Sequence, residues 1–412
     1  MSQIPAASSR ARLIFLATSV VLVAFNARPS LSSLGPVLPE AMRDTGLSPA
    51  SAGLLTTLPV VCIGLFGLAT PSLTRRLGEE MTVLLFTLLV AAGCAMRAFG
   101  TATPLVIGCA LGGIGIGVVN VVLPGMIKNQ FPRAQALMMG LYTMALCAGA
   151  AVAAGATVPL QHALGDSWAL ALAAWAIPAL VAAAVWTVQL GGGRAEAKEP
   201  APRTLGLWRV PLAWQVTLFV GLQSSLAYSI FAWLPPILRA RGFSPIDAGL
   251  VVSGCILVQA PAALAAPALA ARGRDQRGAV LFVVACSVVG LAGCLYASTA
   301  SIWLWAVILG VGQGATFAIA LTLIVMRSAD GATAARLSSQ AQGVGYTIAA
   351  GGPLLMGLLR TWTGDWFAAG LLLFVIALAS LVFGLLAARD LQIKAEPVPD
   401  RPELDRREPG AA

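Results

Sequence analysis

Arg28 is the charged residue of this chain whose position points most directly to chemistry. It lies within an apolar run that extends from Leu13 to Pro39. A helix over this run is about 40 Å long at 1.5 Å per residue, which places Arg28 roughly 22 Å from its start. A guanidinium near the centre of a bilayer is costly to bury, so it should face a partner or a watery cavity. A helix ending at Ala27 would be only about 22 Å long, too short for a membrane crossing.

The residues around Arg28 suggest an anion site. No acidic residue lies near the middle of an apolar run, so no carboxylate is available to neutralise the guanidinium. An unpaired guanidinium offers five donors in a planar fork and suits planar or linear anions. The candidates to complete such a pocket are Asn26, Asn120, Gln223, Ser224, Tyr228, Trp233 and Tyr346, with Ser32, Tyr142, Gln259, Gln313 and Gln342 as further possibilities. For each of these alone, hydrogen bonding between helices is the more common role.

The acidic residues and lysines limit how transport could be energised. Glu40, Asp44, Asp247 and Asp365 fall at the outer ends of the apolar runs, which gives little support to proton coupling through a carboxylate and favours uniport or exchange. None of the three lysines follows a glycine, so a phosphate-binding loop for ATP is absent. No nucleophile and base pair or cluster of metal ligands is recognisable, so neither an enzyme nor a cofactor is expected.

Composition sets the class of protein. Of 412 residues, 58% are hydrophobic and 10% charged, whereas about 25% are charged in an average soluble domain. Apolar runs of about 20 residues, long enough to span a bilayer as helices, recur along the chain. Twelve such runs are predicted to start near Leu13, Ala52, Met81, Leu105, Gln135, Trp168, Val210, Ala248, Ala279, Ile302, Leu337 and Trp366.

An internal repeat divides these helices into two sets of six. The sequence Ser-Pro followed by Ala-Gly-Leu begins at Ser48 and again at Ser244, 196 residues later. The same offset relates Arg28 to Ser224, so we expect these two positions at equal depth on helices related by a pseudo-twofold axis. Repeats in so apolar a chain are typical of transporters with the substrate path between the halves.

The predicted architecture is an all-α membrane protein of two pseudo-symmetric six-helix bundles. The bundles cover residues 1–190 and 210–390, joined by a cytoplasmic linker at 191–209 and followed by a disordered cytoplasmic tail at 391–412. The formal charge of +9 reflects topology rather than nucleic-acid binding, because about twenty of the 26 Lys and Arg residues lie on one side. Both termini are therefore predicted to be cytoplasmic. Five arginines are placed outside: Arg43, Arg97, Arg239, Arg241 and Arg360.

Two residue types in the runs are interpreted mainly as packing residues. The seven cysteines lie inside apolar runs without C-x-x-C spacing, which argues against a disulfide or a metal site. Glycines four apart let helix backbones approach closely, and a hinge between the halves is the alternative role. These glycines are Gly113, Gly115 and Gly117 in the fourth run and Gly310, Gly312 and Gly314 in the tenth.

The chain resembles the major facilitator superfamily, and within it the cyanate permease and 2-nitroimidazole transporter family. The residues that carry the resemblance are Asn26-Ala27-Arg28-Pro29, Asn120-Val121-Val122-Leu123-Pro124, Gly140-Leu141-Tyr142-Thr143, Gly221-Leu222-Gln223-Ser224, Trp233-Leu234-Pro235 and Thr363-Gly364-Asp365-Trp366. One loop departs from the superfamily pattern, since Arg75-Arg76-Leu77-Gly78-Glu79-Glu80 stands where Asp-Arg-x-Gly and basic residues are usual. The usual inward-gate salt bridge cannot be transferred, although Glu79 or Glu80 could pair with another cation.

The leading hypothesis is a monomeric, multi-pass inner-membrane transporter that moves a small anion by alternating access. The resemblance suggests cyanate, bound at Arg28. The alternative is an exporter of neutral heteroaromatic compounds such as 2-nitroimidazole, stacked on Tyr228, Trp233 and Tyr346. A membrane receptor that binds without transporting is a third hypothesis, disfavoured by the repeat and by the depth of Arg28. The expected partners are a small molecule and the lipid bilayer, and not nucleic acid.

Overall fold

The computed structural model describes residues 6–191, 207–270, 273, 275–329 and 331–393, and most of these residues are α-helical. We number the membrane crossings 1 to 12 in chain order. Crossings 1 to 6 consist of α1 (Ala6–Asn26), α2 (Pro29–Ser32) and α3 (Leu34–Thr45); α4 (Pro49–Leu77); α5 (Glu79–Met96); α6 (Ala102–Gln130); α7 (Gln135–Ala163); and α8 (Trp168–Ala174) with α9 (Ala176–Trp186). Crossings 7 to 12 consist of α10 (Pro211–Ala240); α11 (Pro245–Ala270); α12 (Arg277–Tyr296); α13 (Ile302–Met326); α14 (Gly331–Ala349) with α15 (Gly351–Thr363); and α16 (Phe367–Ala387).

Eleven crossings within the described ranges are long and apolar enough to span a membrane by length and composition. The remaining one, crossing 11, is divided between α14 and α15, which meet at Ala350. Pro353 follows this break, and its ring disfavours a helical backbone four residues earlier. The prediction of twelve helices in two bundles is confirmed, with crossing 11 built from two helices.

The glycines interpreted as packing residues do lie at close helix contacts. A Cβ on Gly113 of α6 would come within 2.5 Å of the Pro59 backbone in α4. In the second half, a Cβ on Gly310 of α13 would come within 2.3 Å of the Cys255 carbonyl oxygen in α11. Cys255 is the repeat equivalent of Pro59, so the two halves use glycine at matching contacts.

The two halves are closed against each other at one end, which we call the loop end. It is the end at which α3 ends and α4 begins, and at which α10 ends and α11 begins. There both guanidinium nitrogens Nη1 and Nη2 of Arg239 on α10 donate to the carboxylate of Glu40 on α3, at 2.7 Å each. Thr57 Oγ1 of α4 donates to the carbonyl of Ala350 at 3.0 Å. Gly35 packs on the Phe231 carbonyl with no room for a Cβ. These contacts join crossing 1 to crossing 7 and crossing 2 to crossing 11.

Toward the other end, where α1 begins and α16 ends and which we call the terminal end, side chains of the two halves still touch. Leu68 of α4 lies beside Gly343 of α14 and is 53% exposed, and Leu264 of α11 lies beside Gly140 of α7 and is 55% exposed. Contact between the halves therefore extends past the loop end, where the Glu40–Arg239 ion pair joins them.

The predicted linker and tail fall largely outside the described residues. Of the linker at 191–209, residues 192–206 are outside, and Leu207–Arg209 form a short helical turn before α10. Of the tail, residues 394–412 are outside. Its first residues differ from the predicted disorder, because Ile393 is buried and its N–H donates to the carbonyl of Arg327 at 2.7 Å. This pairing anchors the end of crossing 12 to the loop after crossing 10.

Candidate functional site

A break in crossing 1 presents Arg28. Helix α1 ends at Asn26, and Pro29 starts the short helix α2. Proline has no N–H to continue the helical ladder and restricts the residue before it, which explains the interruption. The carbonyl of Arg28 caps α2, accepting from the N–H groups of Leu31 at 3.0 Å and Ser32 at 3.1 Å. The first crossing covers Arg12–Thr45, so Arg28 lies about 24 Å from its start, close to the middle of the crossing.

Arg28 faces a cavity between the two halves. The space between the lining side chains, part of it open to solvent, measures about 680 Å³. Crossings 1 and 5 form its wall in the first half, and crossings 7, 8, 10 and 11 form its wall in the second. The lining residues are Arg28, Thr143, Leu146, Cys147, Ala150, Gln223, Ser224, Ala227, Tyr228, Phe231, Ile256, Gln259, Ala263, Gln313, Gly314, Phe317 and Tyr346. None of these described residues is acidic.

The electrostatic neighbours of Arg28 are neutral groups. They are the hydroxyls of Tyr228, Tyr346 and Tyr142 and the thiol of Cys147. The Nε of Arg28 is buried and has no hydrogen-bond partner within the described part of the chain. Three of the four tyrosines in the sequence thus surround one guanidinium whose charge no nearby carboxylate offsets. A negatively charged ligand would supply the missing counter-charge.

An aromatic wall lies beside this charge. The rings of Tyr228 and Tyr346 meet edge to face with their centroids 6.3 Å apart, and those of Tyr228 and Phe231 meet at the same separation. Edge-to-face contacts are favourable arrangements for aromatic rings. They hold Tyr228 between α10 and α14, where its ring can contact a flat ligand bound at Arg28.

Three glutamine amides from the second half reach the cavity. Gln223 Nε2 donates to Ser224 Oγ at 2.7 Å. Gln259 Nε2 and Gln313 Oε1 are buried without partners among the described residues. Buried amide groups usually find a hydrogen-bond partner, so these side chains give the cavity donors and acceptors for neutral polar atoms of a ligand.

The structure brings five of the eight selected candidates to the cavity: Arg28, Gln223, Ser224, Tyr228 and Tyr346. Gln259 and Gln313, two of the further candidates, also line it. Four lining residues lie at i, i+3, i+4 and i+7 on α7: Thr143, Leu146, Cys147 and Ala150. This helical spacing was the available signal for the α7 residues that sequence reasoning missed, including Cys147, which was interpreted as packing.

The other three selected candidates lie elsewhere. Asn26 Nδ2 donates to the carbonyl of Leu22 at 2.8 Å, and the side chain lines a small separate space beside Thr87 and Val90. Asn120 Oδ1 accepts from Tyr142 Oη at 3.2 Å and so supports a neighbour of Arg28.

Trp233 lies about 13 Å along α10 from Ser224, too far for the same ligand. Its Nε1 donates to the carbonyl of Pro353 at 3.0 Å. Its ring packs against Trp366, with the centroids 5.7 Å apart, at the loop end. The side chain therefore contributes to the closed end and not to the cavity.

Two further candidates form local bonds within their own crossings. Ser32 Oγ donates to the carbonyl of Arg28 at 3.2 Å, and Gln342 Nε2 donates to Ser338 Oγ at 2.8 Å. Glu79 and Glu80 begin α5, where carboxylates are favoured by the helix dipole.

Arg97 lies in the turn after α5 at the loop end, and its side chain is unexpectedly buried. It was assigned to an outer loop, yet its side chain is 0% exposed. Its Nη1 and Nη2 donate to the carbonyl and the hydroxyl of Ser30, each at 2.9 Å. Gly108 and Gly112 of α6 leave the space through which the side chain passes. A count of Lys and Arg on each side of the membrane cannot detect such burial, because it assigns every arginine at the end of an apolar run to the nearest loop.

Comparison with known proteins identifies the family. The model of the Major Facilitator Superfamily matches residues 20–352. The chain belongs to the major facilitator superfamily. It is 35% identical over 389 residues to the 2-nitroimidazole transporter of Escherichia coli (strain K12), covering 94% of this chain and 98% of that one. It is 33% identical over 381 residues to the cyanate transport protein CynX of the same strain, covering 91% and 98%. The resemblance to this group is thereby confirmed.

A solved structure shows the same fold. It is a bacterial homologue of the human lysosomal transporter Spinster in an inward-facing and occupied conformation, with a TM-score of 0.71. The identity is 16%, and the match covers 91% of this chain and 95% of that one. The protein is a multi-pass membrane transporter of the major facilitator type, and not an enzyme.

Proposed function

We propose that this protein moves a small monoanion across the inner membrane by alternating access, with Arg28 as the anion-binding residue. The observation that carries the proposal is the position of Arg28 in the cavity between the halves, beside neutral tyrosine hydroxyls and without a lining carboxylate. A buried cation needs a compensating charge, and its planar fork of donors suits a small planar or linear anion. The relationship to CynX makes cyanate the first candidate.

The aromatic wall and the amides favour a second candidate, a heteroaromatic compound such as 2-nitroimidazole. Tyr228, Phe231 and Tyr346 offer ring faces and edges, while Gln259 and Gln313 offer a donor and an acceptor. The relative named for 2-nitroimidazole supports this choice. The two candidates share chemistry, because loss of the ring N–H turns a nitroimidazole into a planar, delocalised monoanion like cyanate.

The distribution of Lys and Arg supports an orientation of the protein in the membrane. The excess of Lys and Arg on the side of the termini supports the proposal that the terminal end and both termini are cytoplasmic. The Glu40–Arg239 pair would then join the halves at the outer end. We further propose that the transporter works as a monomer in the lipid bilayer, since each chain has its own cavity, and that it has no nucleic-acid partner.

The way in which transport is driven should follow from the absence of acidic residues among those that line the cavity. Without a titrating carboxylate, uniport or anion exchange is favoured over proton symport. Uniport of a monoanion carries net charge, and an inside-positive potential would favour uptake by roughly 2.3 kcal/mol per charge per 100 mV. Uptake into proteoliposomes that followed a pH gradient and ignored voltage would contradict this mechanism.

The decisive experiment is counterflow of labelled cyanate in proteoliposomes, which also separates a transporter from a receptor that only binds. Wild-type protein should exchange cyanate, Arg28→Met should not, and Arg28→Lys should retain a small part because an ammonium lacks the planar fork. Equal cyanate exchange by wild type and Arg28→Met would overturn the anion site.

The same assay with labelled 2-nitroimidazole at rising pH tests the second candidate. If the anion is bound, exchange should increase as the ring N–H dissociates, and Arg28→Met should remove the increase. Exchange that falls with pH and survives Arg28→Met would identify the neutral ring as the substrate and the aromatic wall as its site.

A further inference from the structure

Arg97 is a second buried cation that the proposed anion site does not use directly. It lies at the end of crossing 3, in the described turn Arg97–Phe99 that follows α5. Its side chain is completely buried, and its guanidinium reaches Ser30, two residues beyond Arg28. The thiols of Cys94 and Cys109 lie close to it. Among the described residues it has no salt bridge to a carboxylate.

The bond to the Ser30 carbonyl satisfies a group that the break in crossing 1 leaves unpaired. Helix α2 ends at Ser32 and α3 begins at Leu34, so the Ser30 carbonyl does not belong to a continuous helical ladder. Unpaired carbonyls at helix ends need another donor when they are buried. Arg97 Nη1 supplies it at 2.9 Å, while Nη2 binds the Ser30 hydroxyl.

Arg28 is the N-cap residue of the same short helix. Its carbonyl accepts from Leu31 N, Ser32 N and Ser32 Oγ, so Arg28 and Ser30 belong to one hydrogen-bonded turn. Arg97 holds Ser30 by two bonds in a planar fork, which fixes direction as well as distance. Arg97, at the end of crossing 3, therefore holds the turn that presents Arg28 to the cavity.

We propose that Arg97 is a positioning residue, which fixes the break in crossing 1 so that Arg28 points into the cavity as an anion receptor. The proposal rests on the proposed function of Arg28. Without the two bonds, α2 would be free to rejoin α1 or α3 in a different register. A rotation of one residue turns a side chain by about 100°, enough to move the Arg28 guanidinium out of the cavity.

Cys147 provides a readout that needs no knowledge of the substrate. Its thiol lines the cavity and is an electrostatic neighbour of Arg28. The probes are an anionic and a cationic methanethiosulfonate of similar size, applied to the purified full-length protein, with Cys147→Ala providing the background from the other cysteines. In wild type the anionic reagent should react faster, by about tenfold relative to the cationic one, because a cation concentrates anions in a confined site.

Arg97→Met should reduce this charge preference nearly to that of Arg28→Met, although Arg28 is still present. Arg97→Lys should recover part of it, since an ammonium can still donate to the Ser30 carbonyl. Ser30→Ala, which removes only the hydroxyl acceptor, should have a smaller effect and guards against a failure of Arg97→Met to fold. The matched control is Arg241→Met in the second half, since Arg241 also donates through Nη1 and Nη2, in its case to the backbone carbonyls of Cys294 and Ala297.

The outcomes separate the two proposals. If Arg28→Met lowers the preference but Arg97→Met and Ser30→Ala keep the wild-type ratio, the positioning role is wrong. Equal slowing of both reagents in Arg97→Met, with an unchanged ratio, would show that Arg97 only supports the fold and would also overturn the role. If Arg28→Met itself leaves the ratio unchanged, the proposed anion site at Arg28 is wrong, whatever the result for Arg97.

Discussion

The two halves of the molecule descend from one repeat but treat its central position differently. Crossing 1 breaks at Arg28, whereas crossing 7 runs without interruption from Pro211 to Ala240. The offset of 196 places Ser225 where the first half has Pro29, and Ser224 where it has Arg28. Serine keeps its N–H and continues the helix, while proline cannot. The first half therefore contributes an irregular, charged turn, and the second contributes a regular helix with neutral polar and aromatic groups.

The outer ends of the same two crossings show a second difference. Arg43 and Arg239 are repeat equivalents. Arg43 is 74% exposed and pairs with its own neighbour, Asp44, whereas Arg239 is 22% exposed and pairs across the halves with Glu40. Duplication thus supplied a symmetric scaffold. A substitution at one equivalent pair left the proposed binding charge, Arg28, in the first half alone, while the equivalent arginines Arg43 and Arg239 differ in their partners.

The largest expected effect tests the central asymmetry. Arg28→Met should weaken binding of an anionic substrate by about a hundredfold, because removing the charged partner of a buried anion costs several kcal/mol. Ser224→Ala, at the equivalent position, should weaken it by about threefold or less. Equilibrium binding to purified protein measures both. Comparable losses from the two substitutions would mean that the halves contribute equally.

The gate asymmetry should appear as a shift between conformations. Arg239→Met removes a partly buried bidentate pair, and we expect the outward-open population to rise about tenfold, equivalent to roughly 1.4 kcal/mol. Arg43→Met should leave it unchanged, since exposed pairs contribute little. The reporter is Ala232→Cys, whose parent residue packs beside Gly35 at the closed end, labelled by an impermeant thiol reagent from outside.

Exchanging the charges of the gate supplies the control for this shift. Glu40→Arg combined with Arg239→Glu should restore closure, because the pair is rebuilt with its partners reversed. Unchanged labelling in Arg239→Met, or equal labelling in Arg43→Met, would show that the ion pair does not hold the outer end closed.

The break itself can be tested at Pro29. Pro29→Ala makes crossing 1 resemble crossing 7 by restoring an N–H, so we expect a longer helix, a rotated Arg28 and about tenfold weaker anion binding. Pro39→Ala is the matched control, because Pro39 lies inside α3 and has an equivalent in Pro235. Anion-binding curves are compared for wild type, Pro29→Ala and Pro39→Ala at equal thermal stability. Full affinity in Pro29→Ala would mean that packing alone maintains the break.

The smallest expected effect concerns the contribution of the second half. Gln223→Ala should weaken binding about threefold to tenfold, the usual range for one hydrogen bond. Its effect should be non-additive with Arg28→Lys, because residues that hold one ligand couple energetically. A double-mutant cycle measures the coupling. Strictly additive losses would assign the ligand to the first half and leave Gln223 with a packing role.

Sequence reasoning predicted the scaffold well and the site in part. Hydropathy locates twelve crossings because each must cover the hydrocarbon layer. The depth of Arg28 follows from residue rise along a helix, which also explains why Gln223, Ser224 and Tyr228 were found near it. Asn26 was selected by closeness in sequence, but neighbours on a helix face different directions.

What the sequence by itself determined is the number of crossings, the duplication, the membrane location and the presence of an unneutralised arginine at mid-depth. Each of these depends on distance along a single helix or on composition. Only the tertiary structure decided which helix faces meet, where Arg97 ends, and which end of the molecule is closed. These outcomes depend on the rotation of one helix against another and on a few bonds between distant residues, such as Arg97 with Ser30 and Arg239 with Glu40. A hydropathy pattern and a repeat offset carry no information about the relative rotation of two helices or about bonds between distant residues.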